Sequence, residues 1–220
     1  MIEMRQASFR PTTPKGLRTQ ARILDAARAV FARDGFVETR MSDIAGAAGL
    51  SAGGLYRYFM NKEDVFAAMV AELFQELFEA SGNTTHSFLA EPFEALFESN
   101  RGYLAVYHAN RDLMRAIVEA VAVDSRFRDM WWAARQRHVM RFVKAARAVH
   151  GKRRVDGIDM EVVVEAMACM VEQSAYLWWA QEQLAERQVS LDDAARVVAR
   201  VWYLSVFRGA AMQRANATIS

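Results

Sequence analysis

The stretch SDIAGAAGLSAGGLYRYFMNK, residues 42–62, decides the fold, and it reads as two short helices joined by a sharp turn. In the first segment, 42–48, Ile44, Ala45 and Ala48 share one narrow apolar face that lets a second helix come close. Gly49 can take the left-handed conformation that ends a helix, and Leu50 can then pack back on the finished turn. Ser51 is placed to cap the next segment, 52–58, which sends Leu55 and Phe59 inward. Gly53, Gly54, Tyr56, Arg57 and Tyr58 are left to face something else. A helix-turn-helix needs a small residue at its crossing, glycine four positions later and an apolar residue six beyond that. Ala45, Gly49 and Leu55 meet all three conditions. On this stretch alone the alternative is a helical hairpin in an ordinary bundle.

Working outward, the chain of 220 residues fits one large or two small domains, is 53% apolar and contains only 3 Pro, a composition that suits a mostly helical protein. A single cysteine, Cys169, rules out an intrachain disulfide and reads as core filling. The N-terminus lacks the apolar run of a signal peptide. The most hydrophobic later stretch, 160–180, is interrupted by Glu161, Glu165, Glu172 and Gln173, so no membrane span and a cytoplasmic location are expected. The net charge of +2 hides an asymmetry: residues 1–62 hold 10 Lys and Arg against 5 Asp and Glu, leaving 18 against 21 for the rest. The basic end is the end with the helix-turn-helix, the bias a phosphate-binding module needs.

Residues 1–18 read as a basic flexible arm carrying Arg5, Arg10, Lys15 and Arg18, able to lie along DNA or merely to solubilise. From Thr19 the spacing of Ile23, Leu24, Ala27, Val30 and Phe31 predicts a first helix that stops at Asp34-Gly35. With the two motif helices it makes a three-helix unit over 19–62. The run RILDAARAVFARDGF, then Thr39, then DIAGAAGLSAGGLYRYFMNKEDV, resembles the DNA-binding domain of TetR-family transcriptional regulators over roughly residues 18–66. The resemblance implies an all-α homodimer, with a small N-terminal DNA-binding domain and a larger helical domain, here 63–220, for ligand binding and dimerisation.

Two departures from the family pattern stand out. Arg40 replaces the usual Thr or Ser before helix two; it cannot cap, and a cation there is opposed by the helix dipole, so Thr39 is expected to shift into the cap. Gly53-Gly54 in the recognition helix leaves no side chains to read bases but allows close backbone approach. The candidate DNA contacts are Thr39, Arg40, Ser42, Ser51, Ala52, Gly53, Gly54, Tyr56, Arg57, Tyr58 and Lys62. Among them Arg40, Ser42, Arg57 and Tyr58 are expected to read bases, and resemblance assigns Tyr56 and Lys62 to phosphates. Packing of Tyr58 against helix one is the alternative for that residue.

Past Glu63 a linking helix runs to a break at residues 81–83, and further helices are expected from Pro92, over 111–121 and over 125–149. A basic glycine-containing loop leads to two last helices at about 160–187 and 191–212. Trp178, Trp179, Val198, Val201, Trp202 and Phe207 spread over more than one face of those two, which predicts a dimer interface formed with a second copy; cover by an N-terminal helix of the same chain is the alternative. Phe97, Asn100, Arg101, Tyr103, Tyr107, Trp131, His138, Met167, Met170, Glu172 and Tyr176 are the candidates for a lipophilic or aromatic small-molecule effector, against the alternative of closed core.

An enzyme is the rival class, because Gly49-Leu50-Ser51-Ala52-Gly53 matches the G-x-S-x-G nucleophile pattern. That pattern needs a buried strand before the serine, and the alanine-rich helix two stands there instead. No histidine pair has metal-ligand spacing, and no cofactor is expected. The expectation is a DNA-binding regulator, a repressor by resemblance, that binds a palindromic operator in double-stranded DNA as a dimer and is released by an effector. A helical small-molecule-binding or scaffold module without DNA binding is the second reading, and a hydrolase using Ser51 the last.

Overall fold

Pro14 fixes the first turn of helix α1 (Pro14–Glu38), and the Thr13 hydroxyl accepts the Gly16 N–H at 3.1 Å. The helix therefore begins five residues before the Thr19 start read from periodicity, and 14–18 belong to it rather than to an arm. A computed structural model gives the architecture and describes residues 11–82, 85–151, 153–181 and 188–207. Arg5 and Arg10 of the expected arm, and the far ends of the last two expected helices, lie outside the described residues. Helix α1 breaks its geometry at Gly35 (φ 76°), where the sequence placed its end.

After α1 come α2 (Met41–Ala47), α3 (Ala52–Tyr56), α4 (Lys62–Ala80), α5 (Pro92–Ala109), α6 (Arg111–Val123) and α7 (Ser125–His150). The basic loop folds into a two-stranded antiparallel hairpin, β1 (Arg154–Val155) with β2 (Ile158–Asp159), that turns on Asp156-Gly157. Strand signal was absent from the sequence reading because each strand is only two residues long. Helix α8 (Met160–Ala175) passes into a π-helical turn (Tyr176–Ala180), and α9 (Leu191–Trp202) into a second (Tyr203–Phe207). The chain is all-α in class.

Two units divide the chain. The first holds residues 1–73 and 112–130. Its core centres on Phe31, Phe36, Phe66 and Phe127, whose rings meet edge-on or tilted, with Phe31–Phe66 centroids at 4.7 Å and Phe66–Phe127 at 5.0 Å. Polar groups pin this core: Arg126 pairs with Asp64 at 3.2 Å, and the Glu119 carboxylate accepts the Phe36 N–H at 2.9 Å.

The second unit holds 74–111 and 131–220. In it α9 packs along α5, and Gly102 of α5 lies so close to the end of α4 that a Cβ there would stand 2.3 Å from the Ala80 carbonyl oxygen. The Ser99 hydroxyl donates to the Ser81 carbonyl on the same approach. Arg141 donates to the Ser81 hydroxyl at 2.9 Å and lies over the Phe78 ring at 3.4 Å, closing the end of α4.

Candidate nucleic-acid interface and effector cavity

The turn between α2 and α3 is built by backbone hydrogen bonds. Leu50 N–H donates to Ala45 O at 2.9 Å and Gly49 N–H to Gly46 O at 3.1 Å, with Gly49 at φ 63°. This is the Schellman closure, and it requires the left-handed residue that glycine supplies without strain. Ser51 then caps α3, its hydroxyl accepting the Gly54 N–H at 3.1 Å. Leu55 and Phe59 are buried, as are Ile44, Ala45 and Ala48 of the facing helix. The serine of the G-x-S-x-G match thus follows a helix and a turn, with its hydroxyl engaged in capping.

What remains outward is a continuous surface of Ser51, Ala52, Gly53, Tyr56 and Arg57. Tyr56 is 54% exposed, and an added Cβ on Gly53 would meet nothing within 4 Å. Ser42 and Arg40 are also exposed. Neither Arg40 nor Arg57 makes an ion pair among the described residues. Tyr58 is half-buried and engaged within the protein, and Gly54 contacts the Ser51 hydroxyl and Leu50.

Two of the expected DNA contacts are placed differently. Thr39 is 1% exposed and its hydroxyl donates to the Gly35 carbonyl at 2.6 Å, so it closes α1 and does not cap α2. The cap position of α2 is Arg40 itself, whose backbone N–H is accepted by the Asp43 carboxylate at 3.1 Å. An acid at the third helical position offsets the poor capping residue. Lys62, expected on a phosphate, donates to the Phe36 and Val37 carbonyls at 2.9 and 2.7 Å and lies 5.0 Å from the Phe36 ring centre. It ties the last turn of α1 to the first turn of α4. Sequence reasoning missed this because the carbonyls it meets are 25 and 26 residues away.

In the second unit a narrow cavity of about 400 Å³, its open mouth included, is lined by Ser81, Ser99, Asn100, Tyr103, His138, Phe142, Ala168, Val171, Glu172 and Trp202. Four of the expected effector residues are brought together here: Asn100, Tyr103, His138 and Glu172. The other seven are not on its wall. Arg101 is exposed and paired with Asp192 at 2.7 Å, Phe97 lies under Arg196, and Trp131 lies beside Arg135. Tyr107 is buried outside the lining, and Met167, Met170 and Tyr176 are half-buried outside it.

The polar groups around the cavity are unevenly satisfied. Asn100 Nδ2 donates to Leu96 O at 2.8 Å. His138 Nδ1 lies 3.1 Å from Ala134 O, while its Nε2 is buried with no hydrogen-bond partner, as is Trp202 Nε1. The Leu77 carbonyl also bears on this ring, so both backbone contacts of His138 are with acceptors. Burial lowers its pKa, holding the ring neutral. Glu172 accepts from Arg135 Nε at 3.2 Å, and burial nonetheless raises its pKa against the pull of that guanidinium. Tyr103 is held well above the ordinary phenol value by burial and then by the Glu172 charge. Cys169, read as core filling, is exposed, with Sγ 2.7 Å from Arg135 Nη2.

The expected dimer residues also divide. Val198, Trp202 and Phe207 are buried within the single chain, and Trp179 is nearly so, its Nε1 donating to Val189 O at 3.0 Å. Helix α5 covers the inward face of α9, so cover comes from the same chain but from its middle rather than from an N-terminal helix. Trp178 and Val201 are half-buried. Among the described residues of α8, α9 and their π turns, the large apolar side chains left in the open are Val162, Leu177, Val197 and Leu204. Helical spacing places Val197 and Leu204 one position from Val198 and three from Val201, which is why stripe counting put the wrong neighbours outside.

Among the described residues no group of His, Cys, Asp and Glu is arranged to hold a metal ion, and no helix is long and apolar enough to cross a membrane. The family model for bacterial regulatory proteins, tetR family, matches residues 23–69. The chain is 45% identical over 51 residues to the uncharacterized HTH-type transcriptional regulator YfiR of Bacillus subtilis, covering 23% of this chain and 25% of that one. It is 25% identical over 130 residues to the HTH-type transcriptional regulator EthR of Mycolicibacterium smegmatis, covering 59% and 60%. It thus spans less than two thirds of the length of these relatives. A TetR-like transcriptional regulator from Rhodococcus sp. RHA1 superposes with a TM-score of 0.63 at 25% identity, over 84% of this chain and 94% of that one.

Proposed function

Because the chain belongs to the TetR family of transcriptional regulators, we propose that it is a repressor that binds double-stranded DNA through the outward face of α3 and is released by a small molecule. The observation that carries this reading is the bare surface of Ser51, Ala52, Gly53, Tyr56 and Arg57 on a rigidly closed helix-turn-helix. Its small residues let the backbone approach a phosphate or a base edge, while Arg57 and Arg40 supply charge and bidentate donors. On this reading residues 19–62 are the DNA-binding domain, 63–220 bind effector and partner, and the protein works in the cytoplasm.

Val162, Leu177, Val197 and Leu204 support a homodimer, since they leave an apolar surface on α8, its π-turn and α9. Two heads then read successive major grooves about 34 Å apart on a palindromic site. An effector in the cavity meets Ser81, which directly follows α4, and Lys62 in the first turn of that same helix holds the end of α1. A ligand that favours one setting of α4 shifts the population of DNA-competent dimers; one that binds both settings equally shifts nothing.

The test is a selection from random duplex DNA with purified protein at near-physiological salt, followed by a salt titration of the enriched site. An enriched inverted repeat with a steep salt slope is expected. Persistent absence of enrichment, in protein refolded without ligand, would overturn the reading in favour of a helical binding module without DNA.

A further inference from the structure

Resting on the reading of the cavity as an effector site, we propose that its ligand is a compact organic cation, a protonated amine carried on a small aromatic or branched apolar body. Among the described residues, Glu172 is the only one on the wall with an acidic or strongly basic side chain. Its partner Arg135 is not on the wall and is shared: Nε meets Glu172 at 3.2 Å, Nη1 meets Glu165 at 3.1 Å, and Nη2 donates to the Glu165 carbonyl at 3.0 Å. One guanidinium thus serves two carboxylates, so Glu172 is only half compensated, while Arg141 beside the cavity is committed to Phe78 O and the Ser81 hydroxyl.

The excess is felt by its neighbours. Tyr103 on the wall and Tyr107 behind it are both held protonated, first by burial and next by the Glu172 charge. Burial raises Glu172 itself, so its charge is under-compensated, and a ligand cation would relieve that. A carboxylate ligand would be repelled.

His138 is committed to the backbone: Nδ1 lies 3.1 Å from Ala134 O, and the Leu77 carbonyl also bears on the ring. Glu172 asks for N–H donors, which an ammonium supplies. Tyr103, Phe142 and Trp202 put aromatic rings on the wall, and Val171 and Ala168 fill in around an apolar body. The unpartnered Trp202 Nε1–H is a lone donor, open to an oxygen on the ligand or to a bound water.

Calorimetric titration of the full chain with phenethylamine, 2-phenylethanol and phenylacetate compares one ring bearing three head groups. The amine should bind about tenfold more tightly than the alcohol, and phenylacetate should not bind. Glu172→Gln keeps an oxygen for Arg135 Nε and should erase the amine's advantage while leaving the alcohol unchanged. Should that variant not fold, Glu172→Asp, which draws the carboxylate back by one methylene, should lower amine affinity more than alcohol affinity. Equal binding of the three, tighter binding of the alcohol or the acid, or no binding at all would overturn the proposal. Repeating the titration with the enriched duplex separates it from the reading it rests on. Amine binding that leaves DNA affinity unchanged keeps the ligand class and overturns the effector role. DNA release without head-group preference does the reverse.

Discussion

The helix ends of the first unit and the cavity of the second treat their polar groups in opposite ways. In the first, helix ends are tied: Thr13 caps α1, Asp43 answers the N–H of Arg40, Ser51 caps α3, and Asn61 accepts the Asp64 N–H at 2.8 Å. The last turn of α1 is gripped from two sides, by Glu119 on the Phe36 N–H and by Lys62 on the Phe36 and Val37 carbonyls. Around the cavity of the second unit, His138 Nε2 and Trp202 Nε1 are buried without partners and two helices loosen into π turns. Closed hydrogen-bonding holds a surface in one shape for a repetitive target such as a phosphate backbone. Unmet hydrogen-bonding costs free energy that a ligand can recover.

The largest effect that tests this contrast belongs to a glycine of the second unit. At Gly102 a Cβ would stand 2.3 Å from the Ala80 carbonyl oxygen and 3.0 Å from its carbon, both backbone atoms that cannot swing aside. Gly102→Ala should lower stability by about 1–3 kcal/mol, as overpacking does, read as a shift in the urea midpoint at constant slope. A wild-type midpoint would mean that α5 and the end of α4 are free to separate, and would break the picture of a cavity whose Ser99–Ser81 edge is fixed.

Most of the head was legible in the sequence because its geometry is set by local constraints. Ala45, Gly49 and Leu55 are diagnostic through the spacing of one turn, and Ser51 through its place before a helix. What escaped notice depends on residues far apart in the chain. Lys62 and Glu119 reach α1 from other helices, and they make its end a hub that no window of sequence displays. The cavity was harder to read for the same reason, since its wall draws on the end of α4 and on α5, α7, α8 and α9. Aromatic and sulfur content located the right helices and a mixed set of residues: Tyr103 and His138 face the space, whereas Met167 and Trp131 do not. Small members such as Ser81, Ser99 and Ala168 carry no compositional signal, and Trp202 was assigned to the wrong face of α9.

Lys62 offers an effect of middle size that sharpens the first half of the comparison. Lys62→Ala removes two charge-assisted hydrogen bonds from half-exposed carbonyls, so a loss of about 1–2 kcal/mol in stability is expected. If the side chain stays on α1 when DNA binds, the salt slope of binding should match the wild type, although affinity falls with the disturbed head. A slope lower by about one would instead show that Lys62 leaves α1 for a phosphate in the complex.

The smallest effect comes from the counterpart of Gly102 on the other site. Gly53 sits in the first turn of α3 with no atom within 4 Å of an added Cβ and no positive φ to protect. Folding alone gives no reason for glycine there, and alanine should stabilise the chain by up to about 1 kcal/mol through helix propensity and a less disordered unfolded state. If the outward face of α3 meets DNA through its backbone, that same methyl group must intrude on the complex. Gly53→Ala should therefore raise the urea midpoint while weakening binding to the enriched duplex. Stability and binding moving in opposite directions is what a surface shaped for a partner produces. A variant that is more stable and binds equally well would place the DNA contact elsewhere, on Arg40, Tyr56 and Arg57 alone, and would leave the two glycines of α3 without a functional reason.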